Sequence, residues 1–297
     1  MIELHGIIPY LVSPIDRNGL VITSELQRLC SDLIDEGVHG LCVLGSCGEF
    51  PYLTLEQKKG VVITAVNTAA KRVPVVAGVC GFSVMQAKTE AKLFTELGVD
   101  AVVIMLEKYF SLSPESMAAF YRSVAESIPC VPCVLYSNPK FMHFEIPMSV
   151  FEMLSDVPNI IYYKEASGVT GKLLNFKNLF NARYKLFSAS AHIPLFVSML
   201  GGVGWMAGPA CLAPKTCIRL YELSKQGNIE SALELQQKMW LLNDIFLKFG
   251  LTCCVKAGLE YLGYKVGAPI PPLEPLSSEQ KEILFTVIDS VRVLGED

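Results

Sequence analysis

The chain of 297 residues is 51% hydrophobic and only 18% charged, against about 25% charged in an ordinary soluble domain. Its 25 basic and 29 acidic side chains leave a formal net charge of −4. That excludes the clustered positive surface that nucleic-acid binding needs, and the low hydrophobicity and high charge of disordered chains. The longest apolar runs, such as 61–66 and 131–136, fall far short of the roughly 20 residues of a membrane-spanning helix. The opening Met1-Ile2-Glu3-Leu4-His5 shows no basic segment leading into an apolar core, so a cytoplasmic protein is expected.

In chain order, residues 6–12 read as a strand, 24–36 as a helix, 38–44 as a strand and 55–70 as a helix. The alternation continues with strands at 73–79, 99–105, 131–136, 160–164, 184–187 and 203–207. Helical periodicity fills the intervals at 83–97, 114–127, 147–154, 170–180 and 193–200, and closes the series at 214–225. The strand segments are almost uniformly apolar rather than alternating, which is the pattern of strands covered on both faces, as in a parallel sheet. Thr54 and Ser113 stand at N-cap positions, Pro114 opens a helix, and Gly37 and Gly98 close two others. Eight strand–helix units over about 225 residues predict a (β/α)8 TIM barrel. A doubly wound sheet is the alternative, but no Gly-x-Gly-x-x-Gly follows the first strand. Residues 226–297 contain no strand-like run; helices at 229–249, 252–262 and 277–293 predict a C-terminal helical region after a barrel of residues 1–225.

The ten cysteines lie mostly among apolar residues, as reduced core thiols do. Cys130 and Cys133 have half of a zinc spacing, but no second pair and no histidines at ligand spacing accompany them. No metal is expected.

In a barrel of this kind the chemistry sits at the C-terminal ends of the strands, and three such places stand out. Gly45-Ser46-Cys47-Gly48-Glu49 follows the second strand. Glycines flanking two small donors let backbone N–H groups converge as an anion nest, one better suited to a carboxylate than to a phosphate because the Gly-Lys-Ser ending of a phosphate loop is missing. Its bland counterpart is a glycine turn with a buried serine. Tyr136 ends the fifth strand; its hydroxyl is either a proton relay or a packed tyrosine with a satisfied OH. Lys164 ends the apolar sixth strand. It is either half of a buried ion pair, with Glu165 or Glu49, or an amine whose pKa burial lowers until it attacks carbonyls. Together the three describe a carboxylate cradle, a proton relay and a nucleophile, the equipment for holding a 2-oxo acid as a Schiff base.

Gly45-Ser46-Cys47-Gly48-Glu49, Tyr136-x-x-Pro139, Lys164-Glu165-Ala166-Ser167-Gly168 and Gly201-Gly202-Val203-Gly204, with 28 residues from Tyr136 to Lys164, resemble the dihydrodipicolinate synthase/N-acetylneuraminate lyase family of class I pyruvate-dependent lyases. The resemblance runs over essentially the whole chain. It implies that Lys164 forms the imine with pyruvate or a related 2-oxo acid, that Tyr136 shuttles the proton, and that Ser46 and Cys47 hold the carboxylate, Cys47 replacing the usual Thr. It further implies that Tyr109 reaches a neighbouring subunit's site, that the Met206 carbonyl lines the pyruvate pocket, and that the protein is a homotetramer, a dimer of dimers, with no metal or organic cofactor.

Departures from the family pattern bear on the second substrate. Phe141 stands where the lysine-pathway synthases carry the Arg that receives a carboxylate; Lys140 is adjacent but is expected to point elsewhere. Ser188-Ala189-Ser190-Ala191-His192 offers little to sugar hydroxyls. Phe141, Phe144, Trp205 and Met206 instead suggest an apolar or aromatic pocket, similar to that of hydratase-aldolases, or else plain barrel packing. The expected activity is making or breaking a C–C bond between pyruvate and an aldehyde. Dihydrodipicolinate synthesis, a dehydratase or deaminase using the same imine, and a non-catalytic barrel that binds a 2-oxo acid are the alternatives.

Overall fold

The computed structural model describes residues 2–189 and 191–296. The barrel staves are β1 (Gly6–Pro9), β2 (Leu41–Val43), β3 (Val75–Gly81), β4 (Ala101–Leu106), β5 (Cys133–Ser137), β6 (Ile160–Glu165), β7 (Lys185–Ser188) and β8 (Gly204–Ala207). Each pairs in parallel with the next from β2 to β8, and β8 returns to pair with β1. Between β1 and β2 the ring is completed by a bridge from Tyr10 to Cys42. The His39 N–H donates to the Ile7 carbonyl at 2.9 Å, and the Leu11 N–H to the Cys42 carbonyl at 2.8 Å. Closure leaves no edge strand, and almost every strand residue is buried, as the uniformly apolar runs predict.

The helices of the outer ring are α1 (Thr23–Asp35), α2 (Leu55–Ala69), α3 (Val84–Glu96), α4 (Pro114–Glu126), α5 (Pro139–Met142), α6 (Met148–Met153), α7 (Thr170–Phe180), α8 (Pro194–Met199) and α9 (Pro214–Lys225). Thr54 caps α2 in a reciprocal box with Gln57, and Ser113 accepts from the Ser116 N–H at the start of α4. The short α5 is not evident from periodicity. It exists because the Asn138 side chain accepts from the N–H groups of Lys140 and Phe141, while Pro139 presets the first turn.

Past the barrel come α10 (Ile229–Phe249), α11 (Leu251–Tyr261) and α12 (Ser278–Arg292). α10 packs between α9 and α12, and α11 lies against the single 3-10 turn Ser46–Gly48 that follows β2. The contact is fastened by a buried ion pair, Lys256 Nζ to Glu49 Oε2 at 2.5 Å, with both side chains nearly inaccessible. Lys256 also donates to the Ala268 carbonyl at 2.9 Å, and Glu49 Oε1 accepts from the Ile270 N–H at 2.6 Å. Glu49 itself has a left-handed backbone (φ 54°), a conformation that a non-glycine residue keeps only where its surroundings hold it. One carboxylate thus ties the β2 loop to α11 and to the proline-rich connection before α12.

Removing one partner of such a pair strands a charge in the interior, at a cost of about 3–5 kcal/mol. Lys256→Met should lower the urea midpoint by a corresponding amount. A loss below about 1 kcal/mol would show that water reaches Glu49 and that the pair braces nothing.

Candidate active site

Lys164 lies near the C-terminal end of β6 and faces the barrel axis with 2% of its surface accessible. The strand is held from behind. Tyr163, one residue earlier and on the opposite face, packs against Phe151 of α6 and Phe176 of α7, with ring centroids 4.6 Å away in each case. The Lys164 ammonium position is 3.6 Å from the centroid of the Tyr10 ring and 3.7 Å from that of Tyr136, its cross-strand neighbour on β5. Neither carboxylate that could neutralise it does so. Glu49 is taken by Lys256. Glu165 accepts from the N–H groups of Ser167 and Gly168 and lies 3.8 Å from Lys172. Among the described residues Lys164 forms no ion pair. Burial therefore lowers its pKa to about 7. The nearby thiols of Cys42 and Cys47 are themselves pushed up to about 12 by burial and stay neutral. A substantial share of the amine is therefore unprotonated at neutral pH, because the tyrosine rings displace water without supplying an anion.

Tyr136 is equally buried, which pushes its phenol up to about 12. The Asn138 amide donates to its oxygen at 2.6 Å, and the Ser46 hydroxyl is a second polar neighbour. With its oxygen accepting from Asn138, the phenol keeps its own proton available to a third atom. Ser46 and Cys47 open the 3-10 turn after β2, so their N–H groups have no carbonyl within the turn to bond. Gly45 is required there, because a Cβ would stand 2.4 Å from the Tyr10 ring. Thr252 of α11 donates to the Ser46 carbonyl at 3.2 Å, and Ser13 to the Gly48 carbonyl at 2.7 Å. Lys164, Tyr136, Ser46, Cys47 and Met206 all line one cavity of about 520 Å³.

Comparison with known proteins agrees with this geometry. Residues 3–290 match the Dihydrodipicolinate synthetase family. The chain belongs to that family. A 4-hydroxy-tetrahydrodipicolinate synthase of Prochlorococcus marinus (strain MIT 9211) is 28% identical over 282 residues, 95% of this chain and 93% of that protein. A dihydrodipicolinate synthase structure from Bacillus anthracis superposes with a TM-score of 0.92 at 28% identity, covering 98% of this chain and 99% of the other. A sialic acid aldolase from Ruminococcus gnavus has the same fold, with a TM-score of 0.90 at 24% identity over 98% and 97% of the two chains. As a member of the dihydrodipicolinate synthetase family the chain is an enzyme of the lyase class, as its motifs led us to expect.

Other sequence expectations fare differently in this dihydrodipicolinate synthetase relative. Phe141 lines the cavity, its ring edge-on to Phe50. Trp205 does not and must be corrected. Because Met206 points inward, its strand neighbour points outward, and Trp205 lies behind the sheet near Pro194 and Leu220. Phe144 is likewise outside the cavity, beneath the Lys108 ammonium at 4.7 Å. Tyr109 is 87% exposed, edge-on to Phe110, and touches no part of the cavity within this chain. Lys140, expected to point away, does line the cavity, as does His192, whose pKa is lowered first by burial and then by the Lys140 charge. Ser190 lies outside the described residues. Sequence reasoning missed Tyr10, Asn138 and the wall supplied by α10 and α11: Asn243, Phe246, Leu251 and Thr252. Asn138 lies just past the fifth strand, a signal that could have found it, whereas Tyr10 falls inside the expected strand 6–12 and is set free only because β1 ends at Pro9.

Only the neutral amine attacks a carbonyl, so the sign of the pH effect is fixed. Pyruvate imine formation, followed by reductive trapping and intact mass, should accelerate as pH rises through about 7 and then level off. A rate still climbing towards pH 10 would mean that Lys164 titrates as an ordinary lysine.

Proposed function

We propose that the protein is a class I aldolase that joins pyruvate, or a related 2-oxo acid, to an aldehyde or separates the two. Lys164 Nζ attacks the C2 carbonyl carbon of pyruvate, water leaves, and the imine draws electrons from C3. Transfer of a C3 proton to the imine nitrogen gives the enamine. Its C3 then adds to the aldehyde carbon while the Tyr136 hydroxyl protonates the aldehyde oxygen, and hydrolysis of the resulting iminium frees the amine and returns a proton to the Tyr136 phenolate. Cleavage is the reverse sequence. Ser46, Cys47 and their N–H groups hold the carboxylate, a role the amides keep although a thiol is a weak donor, and Met206 closes the pyruvate end. The observation that carries this reading is an amine buried between two tyrosine rings, without a counter-charge, beside a phenol and an unsaturated backbone turn in one cavity.

This chemistry needs no metal or organic cofactor, since the imine itself is the electron sink. Phe82, Tyr109 and Phe110 on the loops after β3 and β4, with Met85 in the first turn of α3, are largely exposed, a surface suited to a second copy. We therefore propose a homotetramer in which Tyr109 extends the proton relay of a neighbour. We propose a cytoplasmic enzyme, as the sequence leads us to expect; among the described residues no helix is long and apolar enough to cross a membrane.

Phe141 and Phe246 favour an acceptor with apolar or aromatic character. One observation favours a second reading, dihydrodipicolinate synthesis or another reaction of an aldehyde carrying a carboxylate: Lys140 reaches the same cavity beside His192. Lysine is a point charge rather than a bidentate fork, so its grip would be looser than an arginine's.

Borohydride treatment in the presence of pyruvate should add a covalent mass to Lys164 and to no other lysine. An unmodified Lys164 in folded protein would end the proposal. Tyr136→Phe should keep that labelling but lower kcat for release of pyruvate and aldehyde by roughly 10²- to 10⁴-fold, the range of a lost general acid–base; a loss below about threefold would remove Tyr136 from the relay.

A further inference from the structure

The cavity extends well past the atoms that pyruvate would occupy, and its outer wall comes from beyond the barrel. Asn243 on α10 is 8% accessible and lines this cavity, yet its Nδ2 has no hydrogen-bond partner among the described residues. Buried amide donors are almost always satisfied, and leaving one unmade costs about 1–3 kcal/mol. The neighbouring helix positions that share its face, Phe246 and Leu247, are apolar, as are Phe141, Leu251 and Leu273 around the same space. Asn243 is therefore an unpartnered neutral donor on a largely apolar stretch of the wall; Thr252, in the same wall, already spends its hydroxyl on the Ser46 carbonyl. Its backbone is fixed within a 21-residue helix, so it cannot turn away to find water without disturbing the packing of Ile245 and Phe246.

We propose that Asn243 is a specificity residue: its side-chain amide donates a hydrogen bond to an oxygen substituent on the acceptor half of the substrate. That half is an apolar, ring- or chain-like aldehyde bearing a hydroxyl or carbonyl oxygen remote from the reacting carbon. The inference rests on the aldolase reading above and deepens it. A site built to bond an oxygen rejects the analogue lacking it more strongly than an apolar pocket rejects an extra methylene, because the amide is then left unpaired. The proton relay and the pyruvate cradle lie on other elements, so Asn243 sorts acceptors without touching the amine.

The test compares carbon-matched aldehydes with and without an oxygen substituent, namely benzaldehyde against the hydroxybenzaldehydes and butanal against its hydroxybutanals, in condensation with pyruvate. The wild-type protein should prefer at least one oxygenated member by about tenfold or more in kcat/KM, the effect of one hydrogen bond. Asn243→Leu, with the same branching of heavy atoms but without the donor, should erase that preference through KM while borohydride labelling of Lys164 with pyruvate proceeds as in the wild type. Asn243→Ala serves the same purpose if the leucine variant does not fold. A wild-type protein that condenses these aldehydes without preference, or a variant that slows every pair alike, overturns the role of Asn243 and leaves the imine chemistry standing. Absence of labelling at Lys164 in the wild type overturns both.

Discussion

A lysine without an anion governs the rest of this structure. Placing Lys164 at the mouth of a closed apolar barrel removes the water that would solvate an ammonium, and the rings of Tyr10 and Tyr136 occupy its immediate surroundings. An aromatic face offers a cation some attraction, but less than the water it displaces, and the pKa falls from the ordinary lysine range to about 7. A carboxylate within reach would reverse that shift. The two buried glutamates nearby are instead committed elsewhere, Glu49 to Lys256 and Glu165 to the loop that follows β6.

The same requirement explains why the C-terminal helices belong to the working enzyme. Lys256 of α11 neutralises Glu49, Thr252 restrains the Ser46 carbonyl, and Asn243 with Phe246 closes the outer cavity. In sequence these helices look like an appendage, since the barrel's strand–helix alternation is complete by residue 225. In three dimensions they supply the wall opposite the strand ends. Stability of the Glu49–Lys256 pair and geometry of the Ser46–Gly48 turn are then coupled, because both depend on one loop conformation.

The barrel was legible because strands buried on both faces must be uniformly apolar and helix ends carry their own chemistry, as at Thr54, Ser113, Gly37 and Gly98. Lys164 and Tyr136 were legible for a related reason: a polar residue finishing an apolar strand must point into the only polar space available. Side-chain direction is harder to read. Trp205 and Met206 are adjacent, and only the period of two, once Met206 is placed inward, sends the indole behind the sheet. Phe144 depends on the path of the chain after α5, which rests on the Asn138 cap rather than on periodicity. Asn243 carries no sequence signal at all, because a lone Asn on an amphipathic helix looks like a surface residue until α10 is seen folded over the barrel mouth. The low overall charge, in turn, is accounted for by uniformly apolar strands and by aromatic surfaces such as Tyr109 and Phe110, and only in small part by the cavity at the strand ends, which Phe141 lines but Trp205 and Phe144 do not.

The central claim is that Lys164 is the neutral, unpaired nucleophile for a 2-oxo acid. A crystal of the protein soaked in pyruvate near neutral pH tests it most directly. Continuous density from Lys164 Nζ to C2 of pyruvate, with the carboxylate on the Ser46–Cys47 turn and the Tyr136 hydroxyl beside the former carbonyl, is the predicted result. Pyruvate bound elsewhere, or lying unbonded beside an ammonium that has drawn in an anion, would contradict the account.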